Sequence, residues 1–127
     1  MSMLRARWLG RMPYQEAWDL QRAFHEGRAS GRAADDCLLL LEHPPTFTIG
    51  TGGDAAHVLT QPEDLARLGA EVLRVDRGGD VTFHGPGQLV GYPVVRIPED
   101  RRDLHRYLRD LEAALIRAVA GFGIEAT

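Results

Sequence analysis

Arginine, threonine and histidine interleaved with glycine suit a site where a ligand is held against bare backbone. Residues 77–88 concentrate these types: Arg77-Gly78-Gly79-Asp80-Val81-Thr82-Phe83-His84-Gly85-Pro86-Gly87-Gln88, followed by Leu89 to Pro93. Glycine forfeits side-chain packing and costs entropy in regular structure, so this is no ordinary core strand. Gly78 and Gly79 can bring N–H groups against a bound molecule, and Gly85-Pro86-Gly87 imposes a second sharp turn. Between the turns a short strand places Val81 and Phe83 on one side and Thr82 and His84 on the other. One set would pack and the other could line a pocket, with Gly78 and Gly79 leaving room for a ligand beside the backbone. His84 is equally suited to positioning or protonating a ligand group and to bonding a nearby carbonyl. Arg77 and Asp80 are placed to pair across the turn. The plain alternative is a hairpin with two glycine turns.

Other candidates for chemistry are weaker. Cys37 is the single cysteine and opens the run Cys37-Leu38-Leu39-Leu40-Leu41, the profile of a strand buried on both faces. There a thiol behaves as a small hydrophobe rather than an activated nucleophile. All fifteen basic residues are arginine, so no lysine amine is present. The five histidines do not cluster with cysteines, and no metal site is expected. His43 sits ambiguously between Glu42 and two prolines, while His25, His57 and His105 lie in polar surface contexts. Gly50-Thr51-Gly52-Gly53 reads as a flexible turn. It lacks the Lys-Ser/Thr ending of a nucleotide-binding phosphate loop.

The string from Arg77 to Gln88 resembles the signature of the lipoyl(octanoyl) transferases. Tyr14, Ala17 and Gln21 match that family's opening helix, and Leu38 to Gly50 matches its first long strand and following turn. Thr51 departs from the family, which tends to carry a basic residue there. The resemblance runs from about residue 12 to Thr127. It implies transfer of an octanoyl group from octanoyl-acyl carrier protein to a lysine of apo lipoyl domains, those of the 2-oxoacid dehydrogenases and the glycine cleavage H protein. It implies a cysteine thioester intermediate, an activating lysine and no cofactor; a cytoplasmic location is expected separately, because the N-terminal arginines are not followed by a signal peptide's apolar core or cleavage site. It also implies that Arg77, Gly78, Gly79, Asp80, Val81, Thr82, Phe83 and His84 bind substrate. The family's nucleophilic cysteine and lysine follow the region matched here, so no catalytic residue is expected in this chain. Residues 1–127 are then expected to be a single incomplete catalytic domain without its C-terminal part. The alternatives are a lipoate or biotin protein ligase, which shares the fold but uses lysine to hold an adenylate, and a non-catalytic half that needs a complementary chain.

Composition agrees with one modest globular core. The formal net charge of −3 comes without a basic stripe, which argues against nucleic-acid binding. No apolar run approaches a membrane span. The lone cysteine excludes an internal disulfide, as a reducing compartment would favour.

The elements that must position the candidate site follow from local patterns. Pro13 suits the first turn of a helix to about Glu26, ended by Gly27, with Tyr14, Ala17, Trp18 and Gln21 on a packing face. Residues 37–42 form a strand stopped by Pro44-Pro45, and Thr46 to Ile49 a second. Thr60 and Glu63 form a capping box for a short helix ending at Gly69. Glu71–Val75, Val81–Phe83 and Gln88–Val95 are further strands. Asp103 caps a long helix with Leu104, Leu108, Leu111, Leu115, Val119 and Phe122 in one stripe. The predicted class is α/β (α+β), a mixed sheet with flanking helices. By resemblance the fold is that of the biotin/lipoate protein ligase catalytic domain.

Overall fold

The structure is a computed structural model that describes residues 3–127. In chain order its elements are β1 (Leu4–Arg11), α1 (Tyr14–Ala29), β2 (Asp36–Glu42), β3 (Thr46–Ile49), α2 (Pro62–Leu68), β4 (Glu71–Arg74), β5 (Val81–His84), β6 (Val90–Val94) and α3 (Leu104–Ala120). Two compact units divide between Val95 and Arg96.

The first unit repeats one plan. β1, α1 and β2 form a strand–helix–strand unit whose strands pair in parallel, and β6 adds to β2 antiparallel. β3, α2 and β4 do the same, with β5 antiparallel to β3. The α+β class expected from the sequence is therefore present, with two mixed three-stranded sheets, β1-β2-β6 and β4-β3-β5, in place of one sheet. The central strands β2 and β3 are joined only by His43-Pro44-Pro45. Proline has no N–H to pair, so the ladder must stop there and the chain changes sheet.

Burial follows the pleat. Cys37, Leu39 and Leu41 of β2 are buried while Asp36, Leu38, Leu40 and Glu42 are half-buried. β2 is thus fully covered on one face only, which corrects the expectation of a strand buried on both. Cys37 is the buried small hydrophobe expected of it. Ala17 of α1 is fully buried, with Tyr14, Trp18 and Gln21 half-buried on the same face. An Arg28–Asp36 ion pair at 2.8 Å, both side chains largely covered, ties the end of α1 to the start of β2.

Three boundaries differ from the sequence reading for local reasons. α1 runs through Gly27 to Ala29, because the left-handed turn that ends it belongs to Gly31 (φ 76°). α2 begins with Pro62 behind Gln61 and has no side-chain cap, so the Thr60–Glu63 box does not form. Its end at Gly69 (φ 63°) is as expected. β1 has no counterpart among the predicted elements. Its strand register with β2 slips between Trp8 and Arg11, where Gly10 takes φ 71° and forms a bulge.

In the second unit, the Asp103 carboxylate accepts hydrogen bonds from the His105 and Arg106 amides and so caps α3. Leu104, Leu108 and Leu115 on its apolar stripe are 80%, 50% and 67% exposed. A stripe of that size open to water favours association. The chain in solution is expected to bind an exposed-hydrophobe dye and to self-associate with rising concentration. A dye-silent, monodisperse monomer by sedimentation would contradict this.

Candidate functional site

The segment from Arg77 to His84 is held by the turn that follows β3. The Gly50 amide donates to the Asp80 carbonyl at 2.8 Å, Thr51 to Arg77 at 2.9 Å and Gly52 to Gly79 at 3.2 Å. A Cβ on Gly50 would lie 2.4 Å from the Gly79 carbonyl oxygen, so only glycine permits this approach. Residues 50–53, expected to be a flexible turn, are instead a backbone cradle. Thr51 joins it through its amide, which any residue other than proline could supply.

Arg77 locks the same junction from the other side. Its guanidinium donates to the Thr48 carbonyl (2.9 Å), the Thr48 hydroxyl (2.8 Å), the Gly78 carbonyl (2.9 Å) and the Asp80 carbonyl (3.1 Å). The expected Arg77–Asp80 charge pair is therefore corrected. Arg77 meets the backbone of Asp80, while the Asp80 carboxylate accepts from the Asp54 amide at 3.1 Å and bonds His57 Nδ1 at 2.5 Å. Both side chains of the Asp80–His57 pair are about half exposed, so it adds little stability.

The two glycines separate in role. Gly79 takes φ 87°, a conformation that a side chain strains whatever the space around it. Backbone conformation is therefore a reason for glycine at this position. Gly78 has no positive φ, and a Cβ on it would meet no atom within 4 Å, so it faces open space. Along β5, Val81 is half-buried and Thr82 exposed. Phe83 is 49% exposed and packs on Phe47 at 4.9 Å between ring centroids. Its ring also covers Gly85, where a Cβ would come within 2.9 Å of it. Neither side of β5 is a fully buried packing face.

His84 points into a cluster of four rings. Its centroid lies 5.6 Å from Tyr14 and 5.7 Å from His43, perpendicular to the latter. His43 is fully buried. Its Nδ1 lies 2.7 Å from the Met12 carbonyl oxygen and its Nε2 lies 2.7 Å from the Tyr92 hydroxyl. Tyr14 also stands against His43, with ring centroids 5.0 Å apart. Among the described residues, the buried side-chain polar atom left without a partner is His84 Nδ1. Such an atom costs about 1–3 kcal/mol where nothing meets it.

Burial holds both imidazoles below the usual histidine value. For His43 the Met12 carbonyl opposes this; for His84 the charges of His43 and Arg77 add to it and the Thr46 backbone opposes. Burial likewise pushes the Tyr14 and Tyr92 phenols up. The cluster is therefore uncharged at neutral pH. Sequence patterns brought out Arg77–His84, but Tyr14 reads there as packing, His43 as ambiguous, and Tyr92 is not singled out. The available signal was a histidine directly after a buried strand and before a proline pair.

Residues 13–127 match the lipoyl protein ligase A/B catalytic domain. The chain belongs to that family. It is 57% identical over 117 residues to an octanoyltransferase of Rubrobacter xylanophilus, covering 91% of this chain and 52% of that protein. It is 48% identical to the octanoyltransferase of Myxococcus xanthus, covering 93% and 33% respectively. With the octanoyltransferase of Chloroflexus aurantiacus it shares 46% identity, covering 98% and 55%. The chain thus spans about half the length, or less, of the curated relatives it matches. A T. acidophilum protein described as a candidate lipoate protein ligase, solved with bound lipoic acid, has the same fold. That match has a TM-score of 0.65 at 19% identity, covering 98% of this chain and 50% of the other.

Within this family fold, pH acts on the ring cluster with a defined sign. The ordinary imidazole value is 6.5 and both folded values lie below it, so on acidification the unfolded chain takes up protons first. The cluster's contribution to stability is intact above pH 6.5 and is lost as pH falls from there. The raised phenols act in the opposite sense: above their ordinary value of 10.0 the unfolded chain releases protons first, so their contribution to stability is lost as pH rises from there. Denaturant titrations across pH are expected to show both losses, with His43→Asn flattening the acid limb. A second expectation concerns the cradle. Gly50→Ala forces backbone apart and should cost about 1–3 kcal/mol, read as a lowered unfolding midpoint. An unchanged midpoint would show that the two turns are not locked.

Proposed function

We propose that this chain is part of an octanoyltransferase that moves an octanoyl group from octanoyl-acyl carrier protein to a lysine amine of an apo lipoyl domain. The observation that carries the reading is identity of 57%, 48% and 46% to three octanoyltransferases over more than nine-tenths of the chain. Arg77 to His84 is the acyl-binding segment in this reading. Its preorganised backbone, the open space over Gly78 and the half-exposed Phe83 ring support that role.

The reaction needs a thiolate. A cysteine thiolate attacks the octanoyl thioester carbonyl, and the carrier thiol leaves with a proton. The lysine amine then attacks the acyl-enzyme, an amide forms, and the cysteine thiolate is released as the amine gives up its proton. This chain contains no lysine, and its one cysteine is buried in β2. The nucleophile and its activating lysine are assigned to the part of the family domain outside these residues. The likeness to the T. acidophilum protein supports the shared fold and adds nothing for ligase chemistry.

Incubated with octanoyl-acyl carrier protein and an apo lipoyl domain, the 127-residue chain is expected to leave the acceptor mass unchanged. The protein carried through the remaining length of its relatives should add one octanoyl group. An acceptor octanoylated by the short chain, or left bare by the long one, would overturn the proposal. In the longer protein, Gly78→Val should slow single-turnover acylation at least about tenfold with little change in melting temperature, the loss expected when a misplaced group spoils a reactive geometry. Gly79→Val should lower both together, because its φ of 87° resists any side chain. Normal acylation by a folded Gly78→Val protein would remove the segment from the acyl site.

A further inference from the structure

A cleft of about 210 Å³ opens where β1 and β2 meet α1 and the loop that follows it. It shares no residue with the 77–84 segment. Phe24, Ala33, Ala34 and Cys37 give it an apolar lining, while Arg5, Arg7, Asp35 and Asp36 bring charge. Arg5 lies beside Cys37 across the parallel ladder, and strand alternation puts Arg7 on the same face. The loop wall is pinned to α1: the Ala33 amide donates to the Gly27 carbonyl at 2.9 Å, and Arg28 donates to the Ala33 carbonyl at 3.1 Å. The cleft therefore has its shape before anything enters it.

Its charges do not cancel. Asp35 is taken by Arg5 at 2.6 Å and Asp36 by Arg28 at 2.8 Å. Arg7 has no carboxylate partner among the described residues. Its guanidinium lies over the Phe24 ring, 5.8 Å from the centroid. Stacking uses the face of a guanidinium and leaves the N–H donors in its plane for an anion. Size sets the rest of the ligand. An apolar cavity of about 150 Å³ can hold benzene, so this cleft has room for a ring-sized body and a head group.

We propose that this cleft binds a small organic monocarboxylate, with its carboxylate on Arg7 and its apolar body against Phe24, Ala33, Ala34 and Cys37. The planar fork of Arg7 matches two carboxylate oxygens. A cationic ligand is disfavoured, because both carboxylates of the lining are already spent on arginines. An inorganic anion would leave the apolar lining in water, and a neutral ring would leave Arg7 unused. The site is independent of the octanoyl reading and needs neither thiolate nor lysine. Its ligand touches β1 through Arg7, α1 through Phe24 and β2 through Cys37.

The single cysteine of the chain lines the cleft, so its thiol reports occupancy. Benzoate serves as the probe, titrated into the 127-residue chain at constant ionic strength, with Kd taken from backbone amide shifts. Alkylation of Cys37 by iodoacetamide, a neutral reagent, is followed by intact mass. Occupancy slows it by the factor 1 + [benzoate]/Kd, about fourfold at three times Kd. Benzamide, which keeps the ring and loses the charge, and inorganic phosphate, which keeps charge and loses the ring, should each protect clearly less. Arg7→Gln should lose the protection by benzoate. No protection by benzoate, equal protection by benzamide or phosphate, or undiminished protection in a folded Arg7→Gln chain would each overturn the proposal. If Arg7→Gln does not fold, the amide shifts of the wild-type chain decide. Benzoate-induced shifts concentrated at residues 33–37 support the site, and shifts centred elsewhere overturn it.

Discussion

A buried imidazole must find a partner for each nitrogen, and the first unit is arranged so that His43 does. Its partners come from different elements: the Met12 carbonyl from the link between β1 and α1, and the Tyr92 hydroxyl from β6. Met12 reaches its place because Gly10 bulges the end of β1 and the Met12 amide then pairs with Glu42, beside His43. Pro44 and Pro45 end the β2 ladder directly after His43 and send the chain into the second sheet. His84, one step before the Gly85-Pro86-Gly87 turn that returns the chain to the first sheet, sits against the same ring. The two crossings between sheets therefore meet at one side chain. Replacing it with an apolar residue would leave the Met12 carbonyl and the Tyr92 hydroxyl without their partner at once, so the cost would spread over β1, α1 and β6.

The second constraint is backbone against backbone. Three amides of residues 50–52 bond three carbonyls of residues 77–80, and the Arg77 guanidinium closes the junction with bonds to Thr48, Gly78 and Asp80. An arginine used in this way acts as a bracket. Its planar fork satisfies several carbonyls at fixed angles, which a point charge on a flexible stem does less well. The consequence for function is that the segment has its shape before anything binds. Ordering a loop on binding costs affinity, and a segment already pinned at both ends avoids most of that cost.

How much of this was legible in the sequence depended on range. Helix starts and stops set by Pro13, Gly69 and Asp103, and the strand breaks at Pro44-Pro45, follow from adjacent residues and were readable. The segment 77–84 was readable because its glycines make poor sense as core. What escaped was contact between distant positions. His43 bonds residues 31 and 49 positions away, and Arg77 reaches Thr48 across 29. Those pairings depend on strand register, and the register of β1 is set by the bulge at Gly10. β1 itself escaped because its mostly exposed residues carry little of the β-branched content that marks a strand. Gly79 shows the ambiguity that remains when a motif is read alone. A glycine needed for its φ and a glycine needed for a ligand look the same in sequence. The backbone angle shows that Gly79 is needed for its conformation, and Gly78 faces open space.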